Sequence, residues 1–341
     1  MKNKNCLIVF VVAFAALAAG KTFSQKVQSV ETVGYTVEDM GRTVDFFTKV
    51  LQFKKVSEEE VYGEAYEKLT GVFGGRMKIV RMQLGDEFVE FTDYLTSGGK
   101  PIPVDAKSND LFFQHIAIVV SDMDKAFAHL KKYNVEYVST APQTIPATNK
   151  PAAGVKAFYF HDPDGHTLEL IYFPAGKGNV KWQHHSDKLF LGIDHTAIGV
   201  SSTGNSLQFY RDVLGLELKG ETFNYGTEQE HLNNVKGASL HISGLRSASG
   251  PGVEFLEYLK PGAGKIYPSD AQNNDIVAWQ TTMTVDNLDA VMKTLKEKKY
   301  VFVSTEKTEM KTSKGEKYNA AIVKDPDGHL IVLKHAMHET N

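Results

Sequence analysis

Cysteine is nearly missing from this sequence: Cys6 is the single thiol in 341 residues. Disulfides therefore cannot brace the fold, and a chain of this length has enough core not to need them. Positive charge is not in excess either. The formal net charge is −3, which excludes the concentrated basic surface of a nucleic-acid binder. Long apolar runs are lacking as well. Cys6–Ala19 spans 14 residues, where a membrane-crossing helix needs about 20. Lys2 and Lys4 precede this run, and small residues followed by polar Lys21, Ser24 and Gln25 come after it. Residues 1–25 thus read as a cleavable secretory signal peptide, cut between Ala18 and Gln25. The expectation is a secreted or periplasmic protein with no stable membrane anchor. Cys6 opens the apolar run and does not follow it, which argues against lipidation.

What the chain does have is repetition. Phe158–Phe173 reads FYFHDPDGHTLELIYF, a strand, a tight turn and a strand. In Asp162-Pro163-Asp164-Gly165, Pro fixes φ, Asp bonds back to backbone and Gly closes the corner. The second strand alternates, with His166, Leu168 and Leu170 on one face and Thr167, Glu169 and Ile171 on the other. A second DPDGH hairpin occupies Ala320–His335, AAIVKDPDGHLIVLKH. Between the copies Glu169 becomes Val332, so the turn argues for architecture and Glu169 for chemistry.

Four units follow one programme of strand, helix and two or three strands. The first has a strand at Glu31–Val37, a helix at Met40–Leu51 capped by Asp39, and strands at Arg76–Leu84 and Glu87–Leu95 around a Gly85-Asp86 turn. The second has Phe112–Val120, a helix from Asp122 through Tyr133, a short strand at Tyr137–Ser139 and the DPDGH hairpin. Residues 174–188 are Gly-rich and polar and read as a linker. Its His184-His185 pair is a weak candidate for metal binding. The third unit opens at Leu191–Val200, with a helix at Asn205–Leu214 and GVEFLEYL at Gly252–Leu259 echoing FVEFTDYL at Phe88–Leu95. The fourth has a strand from Ile276 to Val285 and a helix at Leu288–Lys298. Matching residues are offset by 163 to 165 positions. The expected organisation is a signal segment (1–25), a first domain (26–173), the linker (174–188) and a second domain (189–337).

Paired units closing on DPDGH-x-L-E, with HIAIVV and HTAIGV as first strands, resemble the vicinal oxygen chelate superfamily of glyoxalases, bleomycin-resistance proteins and extradiol dioxygenases. The resemblance implies an α+β fold of tandem βαβββ units, four units paired into two cup-shaped sheet domains. It also implies that the first and last strands of each unit can offer inward metal ligands. Paired in sequence order, the first domain supplies Glu90, His115 and Glu169, with Thr32 at the fourth position. The second supplies His195, Glu254 and the amide of Gln280, with Val332 at the fourth.

One imidazole and two carboxylates suit a divalent ion such as Mn, Fe, Ni or Zn. The implied activity is lyase or isomerase chemistry of the glyoxalase type on a small oxygenated substrate, with Glu169 or Glu90 moving the proton. Extradiol ring cleavage is marked down, because neither domain supplies two histidines and no histidine shortly precedes Tyr159. A non-catalytic small-molecule binder is the alternative, with Phe112, Phe113, Tyr159, Trp279 and Tyr318 as candidate pocket aromatics. A monomer suffices to complete each cup, and a homodimer is compatible with it.

Overall fold

The computed structural model describes residues 27–184, 186–312 and 314–337. Residues 1–25, expected to be a signal segment, lie outside them. Each unit contributes four strands. The first has β1 (Val27–Val37), helix α1 (Met40–Lys49), β2 (Lys54–Tyr62), α2 (Glu64–Thr70), β3 (Arg76–Leu84) and β4 (Glu87–Tyr94). The second has β5 (Gln114–Val120), α3 (Met123–Lys131), β6 (Gln143–Thr144), β7 (Lys156–His161) and β8 (Thr167–Tyr172). In the third, β9 (Phe190–Gly199) leads to α4 (Thr203–Leu207), which runs on as a π-helical stretch, Gln208–Val213. β10 (Glu217–Tyr225), α5 (Thr227–Asn233), β11 (Ser239–Arg246) and β12 (Gly252–Lys260) complete that unit. The fourth has β13 (Trp279–Val285), α6 (Leu288–Glu297), β14 (Thr308–Lys311), β15 (Lys317–Lys324) and β16 (Leu330–Ala336).

Local signals explain most of these elements. Asp39, Asp122, Ser202 and Asn287 each accept a backbone N–H from the first turn of the helix they precede. The two DPDGH turns are built alike. Asp162 Oδ1 accepts from the N–H groups of Asp164 and His166, and its Oδ2 accepts from His166 Nδ1. Asp325 repeats the pattern with Asp327 and His329. Gly165 and Gly328 take φ of 91° and 106°, which favours glycine.

The strands form two eight-stranded sheets, and here the structure corrects the sequence-order pairing. One sheet runs β14-β15-β16-β13-β1-β4-β3-β2, joining the first unit to the fourth. The other runs β10-β11-β12-β9-β5-β8-β7-β6, joining the second unit to the third. In each, the first strands pair antiparallel at the centre, β1 with β13 and β5 with β9, and each lies parallel to the last strand of its own unit. Units adjacent in sequence instead share a core. Phe47, Phe91, Ile118, Phe158 and Leu168 belong to one buried cluster, and Phe209, Phe255, Met283 and Leu295 to another. Two crossovers, residues 95–113 and 261–278, carry the chain from one sheet to the other. They run side by side, with Ile276 N donating to Lys100 O, Leu111 N to Lys265 O and Gly264 N to Asn109 O.

Two further local readings change. Lys54–Tyr62 is an exposed edge strand that its Lys- and Glu-rich sequence conceals. Tyr137 makes only an isolated bridge to Phe160, and the short strand of that unit lies at Gln143–Thr144.

Candidate metal centre

Cross-pairing decides which residues meet. The concave face of the sheet built from the second and third units brings together His115 on β5, Glu169 on β8, His195 on β9 and Glu254 on β12. Period-two alternation puts Glu169 on this face while Leu168 and Leu170 enter the core behind it. His115 Nε2 lies 3.2 Å from Glu169 Oε2. His195 Nε2 lies 3.6 Å from the same oxygen and 3.5 Å from Glu254 Oε1. His115, Glu169 and His195 are buried, and Glu254 is partly open to the cup, its side chain 26% exposed.

The donors fit a divalent ion. Ligand atoms about 2.1 Å from a shared ion in a tetrahedral arrangement stand about 3.4 Å apart, and the three contacts just given lie close to that spacing. His195 Nε2 is buried and makes no hydrogen bond, although two carboxylate oxygens lie just beyond it. Two carboxylates and two neutral imidazoles also balance a 2+ charge. Among the described residues, His115, Glu169 and His195 form a cluster whose ligand atoms all lie within 4.8 Å of one another.

The electrostatics point the same way. Burial disfavours the His195 imidazolium, but Glu254, Asp194 and Glu169 outweigh it and push its pKa up to about 9. Burial raises the Glu254 carboxyl, His195 partly opposes this, and Glu169 adds to it. A positive charge is thus favoured where the carboxylates converge.

The other cup holds the remaining predicted residues: Glu90 on β4 and Gln280 on β13, with Thr32 and Val332 at the equivalent positions. Glu90 therefore does not share a site with His115 and Glu169, and Gln280 does not share one with His195 and Glu254. This cavity is small, about 110 Å³. Its wall carries Glu31, which accepts from Arg81 and Lys334. Burial pushes the Glu90 carboxyl up, against the pull of Arg81. With a valine at one position and a threonine at another, this donor set does not match a divalent ion.

The metal-fitting cup opens into a cavity of about 500 Å³. Ile145, Val155, Ile171, Leu232, Ile242 and Leu256 give it apolar walls, and Asn179, Lys219, Thr222, Asn224 and Gln229 give it polar ones. Of the candidate aromatics, Tyr159 lines this cavity and Tyr318 the smaller cup. Phe112, Phe113 and Trp279 surround a separate cavity of about 380 Å³.

Sequence reasoning missed three residues behind His195. Asp194, Arg246 and Trp182 form a bonded group there, and Trp182 comes from the segment read as a linker. That segment is folded. Asn179 caps a 3-10 turn at Val180–Gln183, and Lys177 Nζ donates to the carbonyls of Lys150 and Pro151. Lys181 pairs with buried Glu87, whose other oxygen accepts from Ile193 N. His184 is exposed, and His185 lies outside the described residues.

Residues 29–170 and 192–333 each match the Glyoxalase/Bleomycin resistance protein/Dioxygenase superfamily. A 2-epi-5-epi-valiolone epimerase from Actinomyces sp is 31% identical over 153 residues, which is 43% of this chain and 81% of that protein. Among solved structures, glyoxalase I from Zea mays aligns with a TM-score of 0.59 at 18% identity, covering 90% of this chain and 92% of that one. A point mutant of the same maize enzyme aligns with a TM-score of 0.60 at 17% identity, covering 90% and 92%. At this identity the two structures speak for the fold alone.

Proposed function

Because the chain belongs to the glyoxalase/bleomycin resistance protein/dioxygenase superfamily, we propose that the cup of the second and third units is a metal-dependent isomerase or epimerase site for a small α-hydroxy carbonyl compound. The observation that carries this reading is the convergence of His115, Glu169 and His195 on one point, with Glu254 Oε1 3.5 Å from His195 Nε2. These four would hold a divalent ion of the Mn, Fe, Ni or Zn kind. Bound there, the ion would act as a Lewis acid, stabilising negative charge that develops on adjacent substrate oxygens.

The chain supplies the proton movement. Glu254 suits the base. It faces the cavity, touches only one imidazole, and burial lifts its carboxyl toward the range of a useful general base. It would take the proton from the carbon beside the carbonyl, leaving the electron pair on the substrate, and return it to that carbon or its neighbour. Glu169 lies within 3.6 Å of both imidazoles, which suits it to holding the ion rather than to moving a proton. The apolar walls limit water at the reacting carbon. The 2-epi-5-epi-valiolone epimerase relative is consistent with chemistry of this class.

One observation favours a second reading. The three tightest donors are two histidines and one carboxylate, a set associated with non-haem iron oxygen chemistry. Cross-pairing brings two histidines together, while the histidine expected shortly before Tyr159 is still absent.

One experiment separates the possibilities. Metal-depleted protein is reloaded with Mn²⁺, Fe²⁺, Ni²⁺ or Zn²⁺ and mixed in D₂O with 2-epi-5-epi-valiolone or small α-hydroxy ketones. NMR follows deuterium at the carbon beside the carbonyl, and an electrode follows dioxygen with catechols. Metal-dependent deuteration that disappears in Glu254→Gln is expected. Dioxygen uptake without exchange would favour the second reading, and neither signal, with ligand binding retained, would leave a binding protein.

A further inference from the structure

Asp194 adjoins His195, so strict alternation would put the two side chains on opposite faces of β9. The strand breaks that alternation. On β5, Ala117 pairs with His195 but the next residue, Ile118, pairs with Ile193, so Asp194 is an extra residue, a β-bulge. Bulges beside functional sites re-aim side chains, and here both Asp194 and His195 reach the wall of the cup.

The Asp194 carboxylate is buried and fully engaged. Its Oδ2 accepts from His195 Nδ1 at 3.0 Å and from Arg246 NH2 at 2.6 Å, and its Oδ1 accepts from Trp182 Nε1 at 2.6 Å. Arg246 NH1 also donates to the Asp194 carbonyl. The other cup repeats part of this device. Its register shift leaves Glu31 unpaired between Val30 and Thr32, and Arg81 and Lys334 donate to the Glu31 carboxylate. The neighbour of that acid is Thr32, so the bulged acid there has no imidazole to orient. A bulged acid held by an arginine is therefore shared architecture, and its bond to a histidine belongs to one cup. His115 offers a further contrast, since its Nδ1 is buried without a partner.

We propose that Asp194, itself held by Trp182 and Arg246, is the positioning residue of the metal centre: it accepts the Nδ1 proton of His195 and so leaves the Nε2 lone pair directed at the ion. This rests on the metal-site reading above. A carboxylate on the far nitrogen fixes the tautomer and ring orientation and strengthens the imidazole as a ligand. The segment between the two halves of the chain, through Trp182, thereby becomes part of the centre.

The test compares full-length wild type, Asp194→Asn, Asp194→Glu and Trp182→Phe, using Co²⁺ and Zn²⁺ as probes. Calorimetry gives Kd, and the visible spectrum of the Co²⁺ form reports ligand geometry. Asp194→Asn should bind about 10- to 100-fold more weakly, with a shifted Co²⁺ spectrum. Asp194→Glu should recover part of the loss. Trp182→Phe keeps an aromatic ring but removes the N–H along with part of the indole, so it should weaken binding by a smaller factor, with circular dichroism checking that the fold is retained. If Asp194→Asn does not fold, Trp182→Phe decides alone. Wild-type affinity and spectrum in the folded variants would overturn the proposal while the metal site stands. A wild type that binds neither ion would overturn the metal-site reading and this proposal with it.

Discussion

The cross-pairing of units makes a prediction that pairing in sequence order does not share. Substituting His115→Ala or His195→Ala, which lie in different halves of the chain, should empty the same site. Both imidazole Nε2 atoms stand within 3.6 Å of one oxygen, Glu169 Oε2. Four-ligand zinc sites bind with about 10–16 kcal/mol of apparent free energy. Shared among four donors, each is worth about 2.5–4 kcal/mol, or roughly 70- to 900-fold in Kd. Wild type should hold one ion per chain after dialysis against a weak chelator. Either histidine variant should hold none, and Glu90→Gln and Gln280→Ala should hold one. The assay is metal content by mass spectrometry, with Kd from calorimetry. Two ions per chain in wild type, or one ion left in either histidine variant, would refute the shared site.

Other expectations follow from the same geometry. His195 titrates near 9 without metal, so below that pH an incoming ion must displace a proton from Nε2. Metal affinity should therefore fall as pH drops, about tenfold per unit below 9, and level off above it. Calorimetry at pH 7 in buffers of different ionisation enthalpy should register release of nearly one proton. The two DPDGH turns should matter equally to stability. Asp162→Ala and Asp325→Ala each strand a buried histidine and free two or more backbone donors, costing about 3–5 kcal/mol in urea melts. A loss confined to one turn would refute the structural equivalence of the two hairpins. Residues 1–25 are proposed to direct export, and N-terminal sequencing of secreted or periplasmic protein should find a start between Ala18 and Gln25.

Much of the fold was readable because it is local. The caps at Asp39 and Asp122, the DPDGH turns and the period-two placement of Glu169 are set by neighbours within a few residues. The strand Lys54–Tyr62 was not, since an exposed edge needs no apolar face. The partner of each first strand was hidden for a different reason. β1, β5, β9 and β13 carry similar alternation, so any two present compatible edges, and periodicity cannot choose between them. The observed pairing goes with the two crossovers at residues 95–113 and 261–278, which bond to each other as they pass between the sheets. One chemical signal was present in the sequence. Pairing the second and third units gathers His115, Glu169, His195 and Glu254 into one full set and leaves Thr32, Glu90, Gln280 and Val332 as a depleted one. Pairing in order gives two incomplete sets. Asp194 was visible beside His195, but only the bulge turns it toward the same wall.

The nested order of the sheets also bears on how the chain assembles. The sheet with the candidate metal centre draws on residues 114–260, an uninterrupted stretch, so its strands can pair before the fourth unit leaves the ribosome. The other sheet cannot. Its central pair joins Val27–Tyr35 to Trp279–Val285, and that contact must wait for nearly the whole chain. Contacts this distant in sequence slow folding and prolong the exposure of an open edge. The cup with the depleted donor set thus serves as a clasp. It fastens the first unit to the last around the sheet of the second and third units.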